Sequence, residues 1–257
     1  MKRALSLLTL ALFSVACDKK DTPVTPDPKP AAAATSAAPA AAPAKVEAPA
    51  AGMKRLTVAT GKASFLIDAP LEKIKGETGD AKGTIDLDVT DLTKSKGEVS
   101  FRLSTLKTAT FGDKSKDESQ TEHALNWMEV GKESAADKRA KFEWATFALK
   151  SVTTAAPKLA DVKEEGGARA FDAKLTGTFT LHGIASEKTL SVKVVVKGPA
   201  DAPTEIAVTS AQPLEVSLKE HGIMPRDGVG SFLQGALEKI GKKIDDKVQL
   251  TLAATAK

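Results

Sequence analysis

Beyond about residue 53, apolar and polar residues alternate with period two along most of the chain. Ile85-Asp86-Leu87-Asp88-Val89, Val99-Ser100-Phe101-Arg102-Leu103 and Val248-Gln249-Leu250-Thr251-Leu252 are clear runs. The same alternation passes through Leu175, Gly177, Phe179 and Leu181, through Leu190, Val192, Val194 and Val196, and through Leu214, Val216 and Leu218. Successive strand positions face opposite sides, so each run predicts a strand with one apolar and one polar face. Turn-forming groups separate the runs: Thr78-Gly79-Asp80, Ser95-Lys96-Gly97, Glu165-Gly166-Gly167, His182-Gly183 and Lys197-Gly198-Pro199. Around Phe142, Trp144, Phe147 and Leu149 the apolar phase slips from even to odd positions, as a β-bulge would produce. Two helices are expected. One is short, at about residues 121–130; the other spans about residues 230–240, with Phe232, Leu233, Ala236, Leu237 and Ile240 on one face. About nine or ten strands joined by short connections predict an all-β, antiparallel barrel or strongly curved sandwich.

The first 52 residues follow another pattern. Lys2 and Arg3 precede an uncharged apolar run of 13 residues from Ala4 to Ala16. That length suits a signal peptide, roughly 7–15 apolar residues, and falls short of the roughly 20 that span a bilayer as a helix. Ser14-Val15-Ala16-Cys17 resembles the lipobox of bacterial lipoproteins, with Ser14 where Leu is usual. The resemblance implies that residues 1–16 are a signal peptide and that Cys17 is the lipid attachment site. Cys17 is the only cysteine in the chain, and acylation would consume a thiol that is otherwise a liability in an oxidising compartment. Residues 18–52 are rich in Ala and Pro and too poor in large apolar side chains to bury a core. They are read as a tether, able to reach on the order of 100 Å if stretched as polyproline II. Residues 17–52 would thus hold the domain of residues 53–257 away from the membrane, within the periplasm or at the cell surface.

Charge adds little. Loss of Lys2 and Arg3 would lower the formal net charge from +4 to +2, with lysines interspersed among acids. Such a balance carries no nucleic-acid footprint. Aromatic residues make up 4% of the chain and Tyr is absent, which disfavours a sugar-stacking surface.

The run Leu175-Thr176-Gly177-Thr178-Phe179-Thr180-Leu181-His182-Gly183-Ile184-Ala185-Ser186-Glu187-Lys188-Thr189-Leu190-Ser191-Val192 resembles a hairpin of the YceI-like family. Gly83-Thr84-Ile85-Asp86-Leu87-Asp88 with Asp91-Leu92-Thr93, His123-Ala124-Leu125-Asn126-Trp127-Met128-Glu129-Val130, and Lys141-Phe142-Glu143 resemble further family segments, the last as a strand start. The resemblance implies a lipocalin-like antiparallel barrel with one or two short helices, outside the cytoplasm, binding a polyisoprenoid chain or other apolar lipid inside. The family's opening strand pair carries a His-Ser that Ser64-Phe65-Leu66-Ile67-Asp68-Ala69-Pro70 lacks, so one cavity wall is expected to differ. The expected cavity lining is Val99, Phe101, Leu103, Phe142, Trp144, Phe179, Leu181, Val192 and Val194, with Trp127 at the portal. Periodicity alone allows the same residues to fill a ligandless core, which would leave an envelope module that binds a protein partner.

Enzyme chemistry finds little purchase. His123, His182 and His221 show no metal-ligand spacing, and His182 and His221 each precede a glycine. No G-x-S-x-G nucleophile motif occurs. Asp86 and Asp88 share the polar face of one strand and are read as a solvated edge rather than a carboxylate pair. No cofactor or metal is expected.

Overall fold

The structure, a computed structural model, describes residues 52–68, 73–223 and 247–257. Cys17, the tether and the expected helix near residues 230–240 lie outside them. The described elements run β1 (Met53–Asp68), β2 (Lys73–Thr78), β3 (Ala81–Asp88), β4 (Lys96–Arg102), β5 (Lys107–Thr108), α1 (Lys114–Trp127), α2 (Ala136–Phe142), β6 (Trp144–Thr154), β7 (Glu164–Glu165), β8 (Ala168–Leu181), β9 (Ile184–Lys197), β10 (Glu205–Ser210), β11 (Leu214–Ser217) and β12 (Lys247–Ala256).

The ladders form a ring. The order β12-β10-β9-β8-β6-β4-β3-β1 returns to β12 through a β1–β12 pairing, and each of these contacts is antiparallel. The sequence expectation of an antiparallel β-barrel is met. Closing the sheet leaves these eight strands without a free edge there. β2, β5 and β11 extend the ring at one end: β2 pairs with the second half of β1, β5 with β2, and β11 with the first half of β12.

Long strands bend to serve this geometry. β1 slips register between Val58 and Thr60. Its inward positions change there from Leu56 and Val58 to Ala63, Phe65 and Ile67, so its first half pairs with β3 and its second with β2. β6 bulges between Leu149 and Ser151, after the expected place. The physical reason is that Phe142 does not belong to the strand: it ends α2, a short polar helix without an apolar stripe that periodicity could reveal. α1 also begins earlier than expected. Its first turns, Lys114 to Gln120, are polar, and the start signal is the cap, where Asp113 accepts a hydrogen bond from the Lys116 amide at 3.0 Å.

The β8–β9 hairpin turns on His182 and Gly183, with φ of 51° and 74°. Positive φ at both central residues is the two-residue turn that matches strand twist. The turn is stapled by His221, which is wholly buried. Its Nδ1 lies 3.2 Å from the Leu181 carbonyl and 3.0 Å from the Ile184 carbonyl. With two acceptors facing it, that nitrogen carries the proton and donates.

One barrel end is plugged by hydrocarbon. Leu92 and Leu159, on two 3-10 turns, are 1% and 0% exposed. They pack with Leu56, Leu87, Val192, Val194, Val196 and Ile206. Backbone bonds lock the plugs: the Leu92 amide donates to the Pro157 carbonyl at 2.6 Å and the Leu159 amide to the Val89 carbonyl at 3.1 Å. Asp88 completes this end and is not solvated, contrary to the sequence reading. Its Oδ1 accepts from the Thr90 amide, the Thr90 hydroxyl and the Asp91 amide at 2.9, 2.7 and 2.9 Å. The Thr90 hydroxyl is the main cause holding this carboxyl below the usual range. Asp86 is likewise paired, accepting Nε and Nη2 of the cross-strand Arg55 at 2.6 and 2.8 Å.

Candidate functional site

The opposite end holds a cavity of about 140 Å³. Its wall comes from β1 (Phe65, Ile67), β2 (Ile74), β4 (Phe101), β6 (Ala145, Phe147), β8 (Phe179, Leu181), β11 (Leu214, Val216) and β12 (Val248, Leu250, Leu252). Leu103, which follows β4, also lines it. Ala124, Trp127 and Met128, at the C-terminal end of α1, also line it. A second cavity, of about 90 Å³, lies toward the plugged end and is lined by Ile85, Val99, Leu149, Phe171, Leu175, Val194 and Val208, among others.

α1 is positioned by polar bonds to β5. The Thr108 amide donates to the Thr121 hydroxyl at 2.9 Å, and the Thr108 hydroxyl donates to the Asp117 carbonyl at 2.8 Å. The helix contains no fully buried residue, so it lies across the barrel end without plugging it. Beyond it, Glu129 turns the chain at φ 57° and accepts from Lys138 Nζ at 2.6 Å. Lys138 is the main cause holding the Glu129 carboxyl below its usual range, with His182 Nε2 3.3 Å away as a lesser one. His182 stacks on Phe142, with ring centroids 3.9 Å apart. This cluster braces the barrel end from outside.

The interior chemistry is nearly uniform. No ionisable side chain lines the 140 Å³ cavity among the described residues; its polar groups are Ser64, Thr78, Gln120, Thr146 and Thr251. Lys96 is the single charged residue bordering the 90 Å³ cavity among them. Such walls offer a hydrocarbon chain burial at about 0.8 kcal/mol per CH₂. Among the described residues, no group of three or more His, Cys, Asp and Glu could hold a metal ion.

The residues expected from sequence divide as follows. Leu103, Trp127, Phe179 and Leu181 line the larger cavity, Val99 and Val194 the smaller, and Phe101 both. Val192 is buried in the plugged-end cluster and lines neither. Phe142 packs behind the β8–β9 turn and lines neither. Trp144 takes the outward face of β6, where Lys82 Nζ sits 3.8 Å and the Arg102 guanidinium 4.8 Å from its ring. Sequence reasoning passed over Phe147, Leu190 and Leu252, although their strand parity marks them as inward. It also passed over Ile74, and over Phe65 and Ile67, which lie in the segment that departs from the family pattern.

Fold and interior together define an antiparallel β-barrel with a hydrocarbon-lined bore. The YceI-like domain matches residues 55–256, and the chain belongs to that family. Among solved structures, a polyisoprenoid binding domain from Saccharophagus degradans aligns with a TM-score of 0.50 at 10% identity, covering 79% of this chain and 97% of that one. BcnA of Burkholderia cenocepacia aligns at 0.45 and 15%, covering 77% and 96%. The YCEI protein of Campylobacter jejuni aligns at 0.36 and 15%, covering 68% and 82%. No curated protein matches the chain in sequence.

Proposed function

We propose that the protein is an envelope lipoprotein, anchored through Cys17, whose barrel binds a slender apolar lipid such as a polyisoprenoid chain. The observation that carries the binding reading is the larger cavity, whose lining among the described residues contains no ionisable group. A ligand there gains from hydrocarbon burial and must leave any charged head outside. Family membership and the described binding of the Saccharophagus degradans domain support a prenyl chain over other apolar ligands. The anchoring reading rests on the run before Cys17 and on the Ala- and Pro-rich segment after it. The test is organic extraction of the protein purified from its host envelope, followed by mass spectrometry. A stoichiometric long-chain lipid is the expected result. An extract without lipid, from a protein that also takes up no added prenyl alcohol, would leave the ligandless module that binds a protein partner. Anchoring is tested separately: Cys17→Ala should release the protein from the membrane fraction or leave its leader uncut, and unchanged fractionation would refute it.

A further inference from the structure

The two cavities are separated by a single layer of side chains. Phe101, Phe147, Leu190 and Leu252 border both. Three of the four strands that carry them, β4, β6 and β12, show the same order along the barrel. Along β4 and the residue after it, Leu103, Phe101 and Val99 face in turn the larger cavity, both, and the smaller; on β6 the series is Ala145, Phe147 and Leu149, and on β12 it is Leu250, Leu252 and Ala254. Beside these rings two strands carry glycine. A Cβ on Gly177 of β8 would lie 2.7 Å from Phe147 Cζ, and one on Gly61 of β1 would lie 3.1 Å from Phe101 Cε1. The two phenyl rings thus border wall positions that carry no side chain, where a Cβ would crowd the wall as well, meeting the Ala148 carbonyl at Gly177 and Ala81 Cβ at Gly61.

From this we infer that Phe101, Phe147, Leu190 and Leu252 form a waist that sets the length of apolar chain the barrel accepts. The inference rests on the proposed lipid-binding function. A short chain fills the outer cavity alone. A long one threads the waist and fills the inner cavity too, so its extra affinity is written into these four side chains and the two glycine seats. Gly61 and Gly177 leave room beside these two rings. Bulk added at Leu190 or Leu252 closes the waist at the inner limit of the outer cavity and leaves Leu103, Phe179 and Trp127 unchanged.

The test compares geraniol with solanesol, a short and a long prenyl alcohol, on the full chain. Trp127 and Trp144 are its two tryptophans, so Trp144→Phe leaves Trp127, on the outer cavity, as the sole indole reporter. In that background solanesol should bind more tightly than geraniol. Leu190→Phe should lower solanesol affinity at least about tenfold, because the inner part of the chain loses its burial, while geraniol stays within about twofold. Should Leu190→Phe fold poorly, Leu252→Phe narrows the same layer from the opposite wall and Phe147→Leu widens it; the first should discriminate against solanesol and the second should not. A solanesol-to-geraniol ratio that stays at the wild-type value in the narrowed variants overturns the waist. Binding of neither alcohol by the wild-type barrel overturns the lipid-binding reading itself.

Discussion

The two ends of this barrel are closed by different physics. At one, Leu92 and Leu159 enter the bore from two 3-10 turns, are excluded from water and are locked by backbone hydrogen bonds and the Asp88 carboxylate. At the other, α1 spans the strands with none of its residues fully buried and is held by threonine hydroxyls and amides to β5. Hydrocarbon plugs make a core that is costly to disturb. A helix seated on polar bonds over an apolar cavity makes a roof whose packing contributes less to folding. Stability thus concentrates at the plugged end, and space for a ligand is left at the roofed end, where the ladder flares into β2, β5 and β11.

Substitutions should separate the two ends in order of effect. Leu159→Ala removes a wholly buried plug and should cost about 2–5 kcal/mol in urea unfolding. A loss under 1 kcal/mol would show that the plug does not anchor this end. Asp88→Asn weakens three converging hydrogen bonds and should cost about 1 kcal/mol near neutral pH. Its pH dependence has a definite sign. The folded carboxyl titrates below its ordinary value of 3.8, so its stabilisation is present above that pH and is lost as pH falls through the lower folded value. The wild-type advantage over Asp88→Asn should therefore shrink in strong acid, and an advantage independent of pH would contradict the carboxylate's role.

Trp127→Ala at the roofed end should reverse the balance, with stability changed by less than about 1 kcal/mol and affinity for a prenyl alcohol reduced about tenfold. Equal affinity with lost stability would place Trp127 in the folding core. Asp86→Asn keeps an acceptor for Arg55 but removes the charge of a half-buried, two-pronged pair, and should lower stability by about 1 kcal/mol or less. Trp144→Phe should be the mildest, leaving melting and lipid affinity at wild-type values, because its ring faces Lys82 and Arg102 outside the barrel.

The ring of strands was legible because a closed antiparallel sheet repeats one rule, inward apolar and outward polar, and Phe101, Phe179 and Val194 obey it. What periodicity could not reveal lies where that rule lapses. Trp144 is apolar yet faces out, because two cations rather than a core receive its ring. Phe142 shares its parity but ends a helix. α1 begins in a polar segment whose only local signal is the Asp113 cap. Asp88 reads as a surface residue, since burial of a carboxylate depends on three hydrogen bonds from a turn that alternation does not encode. The waist was half legible: the parity of Phe147, Leu190 and Leu252 was readable, but their meeting between the two cavities follows from closure of staggered strands into a ring.

The central claim is that one apolar chain lies along the bore, through both cavities. Photolabelling tests it most directly, using a long prenyl alcohol that carries a diazirine at its hydrocarbon end, with the labelled peptides mapped by mass spectrometry. Competable label is expected on inner-cavity peptides carrying Leu175 or Val194, past the waist. Label confined to outward positions such as Trp144, or unaffected by excess unlabelled alcohol, would contradict it.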